Sequence, residues 1–237
     1  MTSEYSLEHP LFKSCTGRGV RVAVIDSGIH TRNPHINARV SGVNLTGDTE
    51  DDDFVDRLGH GTAVSAAIFE KSPDVDIFAI RVFDRTLATS AALLARAIES
   101  AAQNDCRLIN LSLGTPNPGR AEILANAVQQ AADRGAIVIS ARELDGIQWF
   151  PGSLPGVVGV LLDPDCPRHS IRIDRAAQPS VLLASGFPRP IPGVPPERNL
   201  QGISFAVANV TGMITRLLEQ RPALRSSDDV FELLREG

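Results

Sequence analysis

The chain has 237 residues, 43% of them hydrophobic and 22% charged, which is enough for one large domain with a sizeable core. A formal net charge of −5, with no basic cluster in the sequence, argues against nucleic-acid binding and against binding to an anionic membrane. Three widely separated cysteines, Cys15, Cys106 and Cys166, form neither an even disulfide set nor a metal-ligand spacing, and so fit a reducing compartment. No apolar run is long enough to cross a bilayer, and the first residues carry acids rather than a signal-peptide core. The expectation is a soluble, cytoplasmic, single-domain protein: a polar lead over residues 1–19, a core over 20–220 and a C-terminal helical segment over 221–237.

Residues 20–25, Val-Arg-Val-Ala-Val-Ile, form a β-branched run stopped by Asp26-Ser27-Gly28, the pattern of a buried parallel strand that ends in a turn. Asp26 therefore falls at the strand's C-terminal end, where sites collect in open α/β sheets, although Asp-Ser-Gly is also ordinary turn chemistry. Residues 44–56 are polar and acidic without a regular period. They read as a solvated surface loop rather than a calcium site, because the EF-hand spacing is missing.

Next comes Gly59-His60-Gly61-Thr62, followed by the small apolar run 63–68. That pattern predicts a helix with the imidazole at its N-terminus, between two glycines that permit close approach of other backbone. Taken alone, the histidine reads as part of a glycine-rich turn. Residues 76–83 read as a strand, 90–98 as a helix capped by Ser90, 108–112 as a strand, 120–134 as a helix and 136–140 as a further strand. This alternation specifies right-handed βαβ units, hence an α/β fold with a mostly parallel sheet covered by helices on both faces.

Residues 187–196 are proline-rich and irregular. After them, Gly202-Ile203-Ser204-Phe205-Ala206 opens a small-residue apolar helix, with Ser204 either as its N-cap or as a reactive group at its N-terminus. Residues 228–235 read as a short surface helix.

Asp26 in Val-Ile-Asp-Ser-Gly, His60 in Gly-His-Gly-Thr and Ser204 in Gly-Ile-Ser-Phe-Ala occur in the order Asp, His, Ser. Together they resemble the subtilisin-like serine proteases, for which that order is the standing example. Asn110-Leu111-Ser112-Leu113-Gly114 looks like the family's substrate-binding strand, and residues 150–160 resemble the segment after its oxyanion loop; the likeness spans roughly residues 20–220. It implies the three-layer subtilisin-like fold and a serine endopeptidase with Ser204 as nucleophile, His60 as general base and Asp26 orienting the ring. Ser112, Leu113 and Gly114 would bind an extended peptide by strand addition, the glycine leaving room for the incoming chain. Neither metal nor organic cofactor is needed for this chemistry.

The chain departs from the family at three places. Ala63 stands where a second histidine is usual, and Ala208-Asn209 where Pro-His is usual. The family's oxyanion Ala-Gly-Asn is replaced by Arg142-Glu143-Leu144, which puts Leu144 at the asparagine position; Arg142 and Gln148 are candidate substitute donors. Two functions follow: a slow or narrow endopeptidase acting on a peptide or protein, such as a dedicated precursor, or a catalytically weak module that binds peptides or a partner protein. With only residues 1–19 ahead of the first predicted strand, neither a signal peptide nor a propeptide is expected, which favours narrow specificity.

Overall fold

A computed structural model describes residues 2–36 and 39–236. The strands are β1 (Thr2–Ser6), β2 (Arg21–Asp26), β3 (Val40–Asn44), β4 (Asp76–Arg81), β5 (Leu108–Leu111), β6 (Ile137–Ala141), β7 (Glu143–Leu144), β8 (Ile147–Gln148), β9 (Val157–Leu162), β10 (Ser170–Asp174) and β11 (Val181–Ala184). The α-helices are α1 (His60–Lys71), α2 (Ala91–Gln103), α3 (Ala121–Asp133), α4 (Ile203–Gln220) and α5 (Ser227–Glu236). Nine strands form one sheet in the order β1-β10-β11-β9-β6-β5-β2-β4-β3, parallel from β11 to β3 and closed on its other side by β10 and β1, which run antiparallel.

Strand geometry explains the three layers. Successive side chains of β2 point to opposite faces, so Val22 and Val24 enter the core beneath α1 and α4, while Ala23 and Ile25 enter the core beneath α2 and α3. Both faces are covered, and β2 is accordingly apolar throughout rather than alternating. As expected, Ser90 caps α2, its side chain accepting from the Leu93 backbone N–H at 3.1 Å.

Three segments differ from the sequence reading. The first residues are not merely a polar lead: Thr2–Ser6 pairs with β10, and Tyr5 and Phe12 are buried in the core. An edge strand draws on backbone hydrogen bonding and needs only one inward apolar side chain, so its sequence carries little signal. The C-terminal helix likewise buries Val230, Phe231 and Leu234 against the α1–α4 side and is no surface appendage. The acidic loop is partly structural, because Asp48 pairs with the fully buried Arg81 at 2.7 Å and Asp56 lies inside the protein.

Helices α1 and α4 pack directly against each other at Gly212, where an added Cβ would lie 2.8 Å from the Lys71 Cβ and 3.2 Å from the Ile68 carbonyl oxygen. This contact sets the relation between two helices whose first turns carry His60 and Ser204. Gly212→Val is expected to overpack it at a cost of about 1–3 kcal/mol, visible as a thermal midpoint lower by several degrees. An unchanged midpoint by circular dichroism would show that the helices are free to separate.

Candidate active site

Asp26 is the last residue of β2 and is fully buried, with its Oδ1 accepting from the Ser27 backbone N–H at 2.7 Å and lying 2.7 Å from His60 Nδ1. A carboxylate can only accept here, so Nδ1 carries a proton, and in the neutral ring Nε2 keeps a free lone pair. The ring belongs to the first residue of α1. Gly61, next along, lets that helix end press onto the Asp26 turn, for a Cβ there would come within 2.3 Å of the Gly28 carbonyl oxygen.

A second carboxylate, which the sequence reading left in the surface loop, organises the same junction. Gly59 at the N-cap offers no side-chain bond, and Asp56 takes over that task. Its Oδ1 accepts from Ser27 Oγ at 2.8 Å and from the Leu58 and Gly59 N–H groups at 2.9 and 2.8 Å. Its Oδ2 accepts from the Thr62 N–H at 2.9 Å and Thr62 Oγ1 at 2.6 Å. An anion at a helix N-terminus satisfies otherwise orphaned donors and opposes the helix dipole. The one sequence signal was its place four residues before His60, at the end of an acidic run that hid it.

Ser204 occupies the first turn of α4, while Gly202 rather than the serine is the N-cap. Its Oγ donates to the Ser112 carbonyl oxygen at 3.1 Å, and Ser112 Oγ donates back to the Ser204 carbonyl at 3.2 Å. Asn110 Nδ2 donates to Ser112 Oγ at 2.9 Å, and Thr211 Oγ1 donates to Asn110 Oδ1 at 2.9 Å, so a buried polar chain ties α4 to the end of β5.

His60, Ser112, Leu113, Gly114, Leu144 and Ser204 all line one cavity of about 640 Å³. The structure thus brings together the predicted nucleophile, base and peptide-binding segment. Gly114 also has a reason within the fold: a Cβ there would meet the protein's own Phe150 carbonyl at 2.5 Å. Leu144 sits in a hairpin of β7 and β8 whose turn residues Asp145 and Gly146 have φ of 53° and 77°. Of the two candidate donors, Arg142 sends Nη1 to the Pro179 carbonyl at 3.4 Å. Gln148 pairs with Glu143 and so lies on the hairpin face opposite Leu144. Neither is brought to the cavity wall.

Burial is the largest single influence on the His60 ring and lowers its affinity for a proton. The hydrogen bond and charge of Asp26, with the charge of Asp56, together outweigh it and raise the pKa above the ordinary histidine value. None of the cysteines lines this cavity; all three are buried and free, and burial pushes the Cys106 and Cys166 thiols up to about 12 and about 11.

The sequence profile of the Subtilase family matches residues 17–142, which include Asp26 and His60 and end before Ser204. The chain belongs to the subtilase family. Subtilisin Savinase from Lederbergia lenta is 28% identical over 215 residues, covering 86% of this chain and 74% of that protein. An alkaline protease from Alkalihalobacillus alcalophilus is also 28% identical, and there the chain spans only 53% of the relative's length. Among solved structures, the prenylagaramide maturation protease PagA superposes with a TM-score of 0.69 at 28% identity, over 92% of this chain and 84% of that one. A lanthipeptide protease superposes with a TM-score of 0.72 at 20% identity, over 98% and 84%, and shares the fold.

The raised pKa has two consequences of opposite sign. Since the folded value exceeds the unfolded one of about 6.5, the protonated ring contributes stability below that pH and loses it as pH rises through the folded value. The neutral ring, able to accept a proton, grows over the same interval. An NMR titration should place His60 above about 6.5, and Asp56→Asn should lower it, by less than Asp26→Asn does. A His60 value that does not respond to Asp56→Asn would remove Asp56 from the electrostatics of the site.

Proposed function

We propose that the chain is a serine endopeptidase in which Ser204 attacks the peptide carbonyl, His60 Nε2 takes its proton and Asp26 holds the ring. The observation that carries this reading is the part-buried 2.7 Å contact of His60 Nδ1 with Asp26, beside the cavity that His60 and Ser204 both line. Rotation about the Ser204 side-chain bond must first release Oγ from the Ser112 carbonyl. Catalytic hydrogen bonds of this kind are commonly loose until substrate arrives. After attack, the imidazolium returns its proton to the leaving amine, and water repeats the sequence on the acyl-enzyme.

The oxyanion would be met by the Ser204 backbone N–H and the positive end of α4. Leu144 on the cavity wall supplies no donor, and this favours slow turnover. It also supports a second reading, in which the cavity binds a peptide or partner protein with little or no hydrolysis. A short precursor peptide is the substrate we favour, because PagA, at 28% identity, is a maturation protease. The three buried free thiols fit work in a reducing compartment such as the cytoplasm.

A fluorophosphonate probe distinguishes the two readings. Labelling detected by intact mass, lost in Ser204→Ala, is expected of the enzyme; absence of labelling on folded protein would leave the binding module. For the oxyanion, loss of one donor costs about 10²–10³ in turnover, a figure measured in subtilisin and not on this chain. Leu144→Asn is therefore expected to raise kcat by an order of magnitude or more. An unchanged kcat would mean that position 144 does not face the oxyanion.

A further inference from the structure

A second groove, of about 1210 Å³, opens beside the start of α1 and the segment before α4. Gly59 and Thr62 line it from the start of α1, and Leu200 lines it from just before α4. Gly59 adjoins His60 and Leu200 precedes Ser204 by four residues, so the groove begins next to the two residues proposed to cut the chain. Its far wall is the proline-rich segment, through Arg189, Ile191, Val194 and Arg198.

Two features of this groove are unusual for the surface of this protein. Nine large hydrophobic side chains are exposed among the described residues, and four of them, Leu58, Ile191, Val194 and Leu200, line this groove. Such apolar surface held together in a concave site marks recognition rather than chance. Charge is the second feature. The protein carries a net −5, yet the groove is cationic. Arg189 and Arg198 line it, and neither pairs with a carboxylate among the described residues; Arg189 makes one long bond of 3.4 Å to the His35 carbonyl. Arg57 is already neutralised by Asp53 at 2.7 Å. The one acidic lining residue, Asp56, has both oxygens engaged by five hydrogen bonds from neutral donors and pairs with neither arginine, so the lining stays net positive.

We propose that this groove selects an acidic and apolar peptide segment, the part of the substrate that follows the scissile bond. This rests on the endopeptidase reading above. An extended chain whose acyl half lies along Ser112–Gly114 must pass Ser204 and His60 and then leave over the second groove. There, leucine-like side chains would cover Leu58, Ile191 and Leu200, while carboxylates would meet Arg189 and Arg198. Guanidinium forks favour carboxylates by paired hydrogen bonds, and charge across an interface contributes selectivity more than raw affinity. Lysine or arginine at the same substrate positions would face like charge.

Peptide binding to Ser204→Ala tests the preference apart from turnover. Two fluorescent hexapeptides, one alternating leucine with glutamate and one alternating leucine with lysine, are titrated and read by anisotropy. The glutamate peptide should bind at least fivefold more tightly, against the protein's overall negative charge, and the difference should shrink as salt rises. Arg189→Glu combined with Arg198→Glu should abolish or reverse the order. Arg198→Ala, at an exposed position, should reduce it. Arg96→Glu, which reverses one positive charge at an exposed position of α2, should leave it intact. Equal binding of the two peptides, tighter binding of the lysine peptide, or loss of the preference in Arg96→Glu to the same extent would overturn the proposal. Fluorophosphonate labelling of the protein with Ser204 intact separates the two readings. If Ser204 reacts but no acidic preference exists, this inference alone fails; if the preference exists but Ser204 does not react, the endopeptidase reading fails and the groove remains a binding surface.

Discussion

The arrangement depends on one buried carboxylate. Asp26 has no exposure to solvent at the end of a central strand, and its Oδ2 is buried without a partner among the described residues. Burying a charge so incompletely paired is costly, and the cost is offset chiefly through the His60 ring at 2.7 Å. The pairing orients the imidazole, fixes its tautomer and favours its protonated form. It requires strand β2, helix α1 and the turn between them to meet within a narrow tolerance, and Gly61 is what the fold places there to permit it.

That meeting is held from several directions. Asp56 binds the Ser27 hydroxyl on one side and the opening of α1 on the other, so the turn after Asp26 and the helix bearing His60 share one set of hydrogen bonds. The chain through Asn110, Ser112 and Thr211 does the corresponding work for the helix bearing Ser204. Close packing at Gly212 then relates the two helices. Three residues far apart in sequence are thereby presented at the C-terminal ends of the central parallel strands by rigid elements, the arrangement a preorganised site requires.

Much of this was legible in the sequence because the central strands are buried on both faces and advertise themselves as β-branched runs. Asp26, His60 and Ser204 stood out because each sits where such a run or a small-residue helix begins or ends. The missed features share a physical cause: their stability comes from partners distant in sequence. The edge strand Thr2–Ser6 has one inward apolar residue and draws on backbone pairing with β10. Asp56 looked like its acidic neighbours and differs only in being enclosed. The orientations of Arg142 and Gln148 depend on hairpin register and on the Pro179 carbonyl, neither of which a single-chain pattern reveals.

Whether Ser204 and His60 act as one chemical unit is tested most directly by comparing steady-state kcat for Ser204→Ala, His60→Ala and the double variant on one peptide substrate. Residues that share a single proton-transfer and attack sequence lose their effect together, so the double variant should be no slower than the worse single variant. Losses that multiply in the double variant would contradict a shared mechanism and would mean that the two side chains contribute independently.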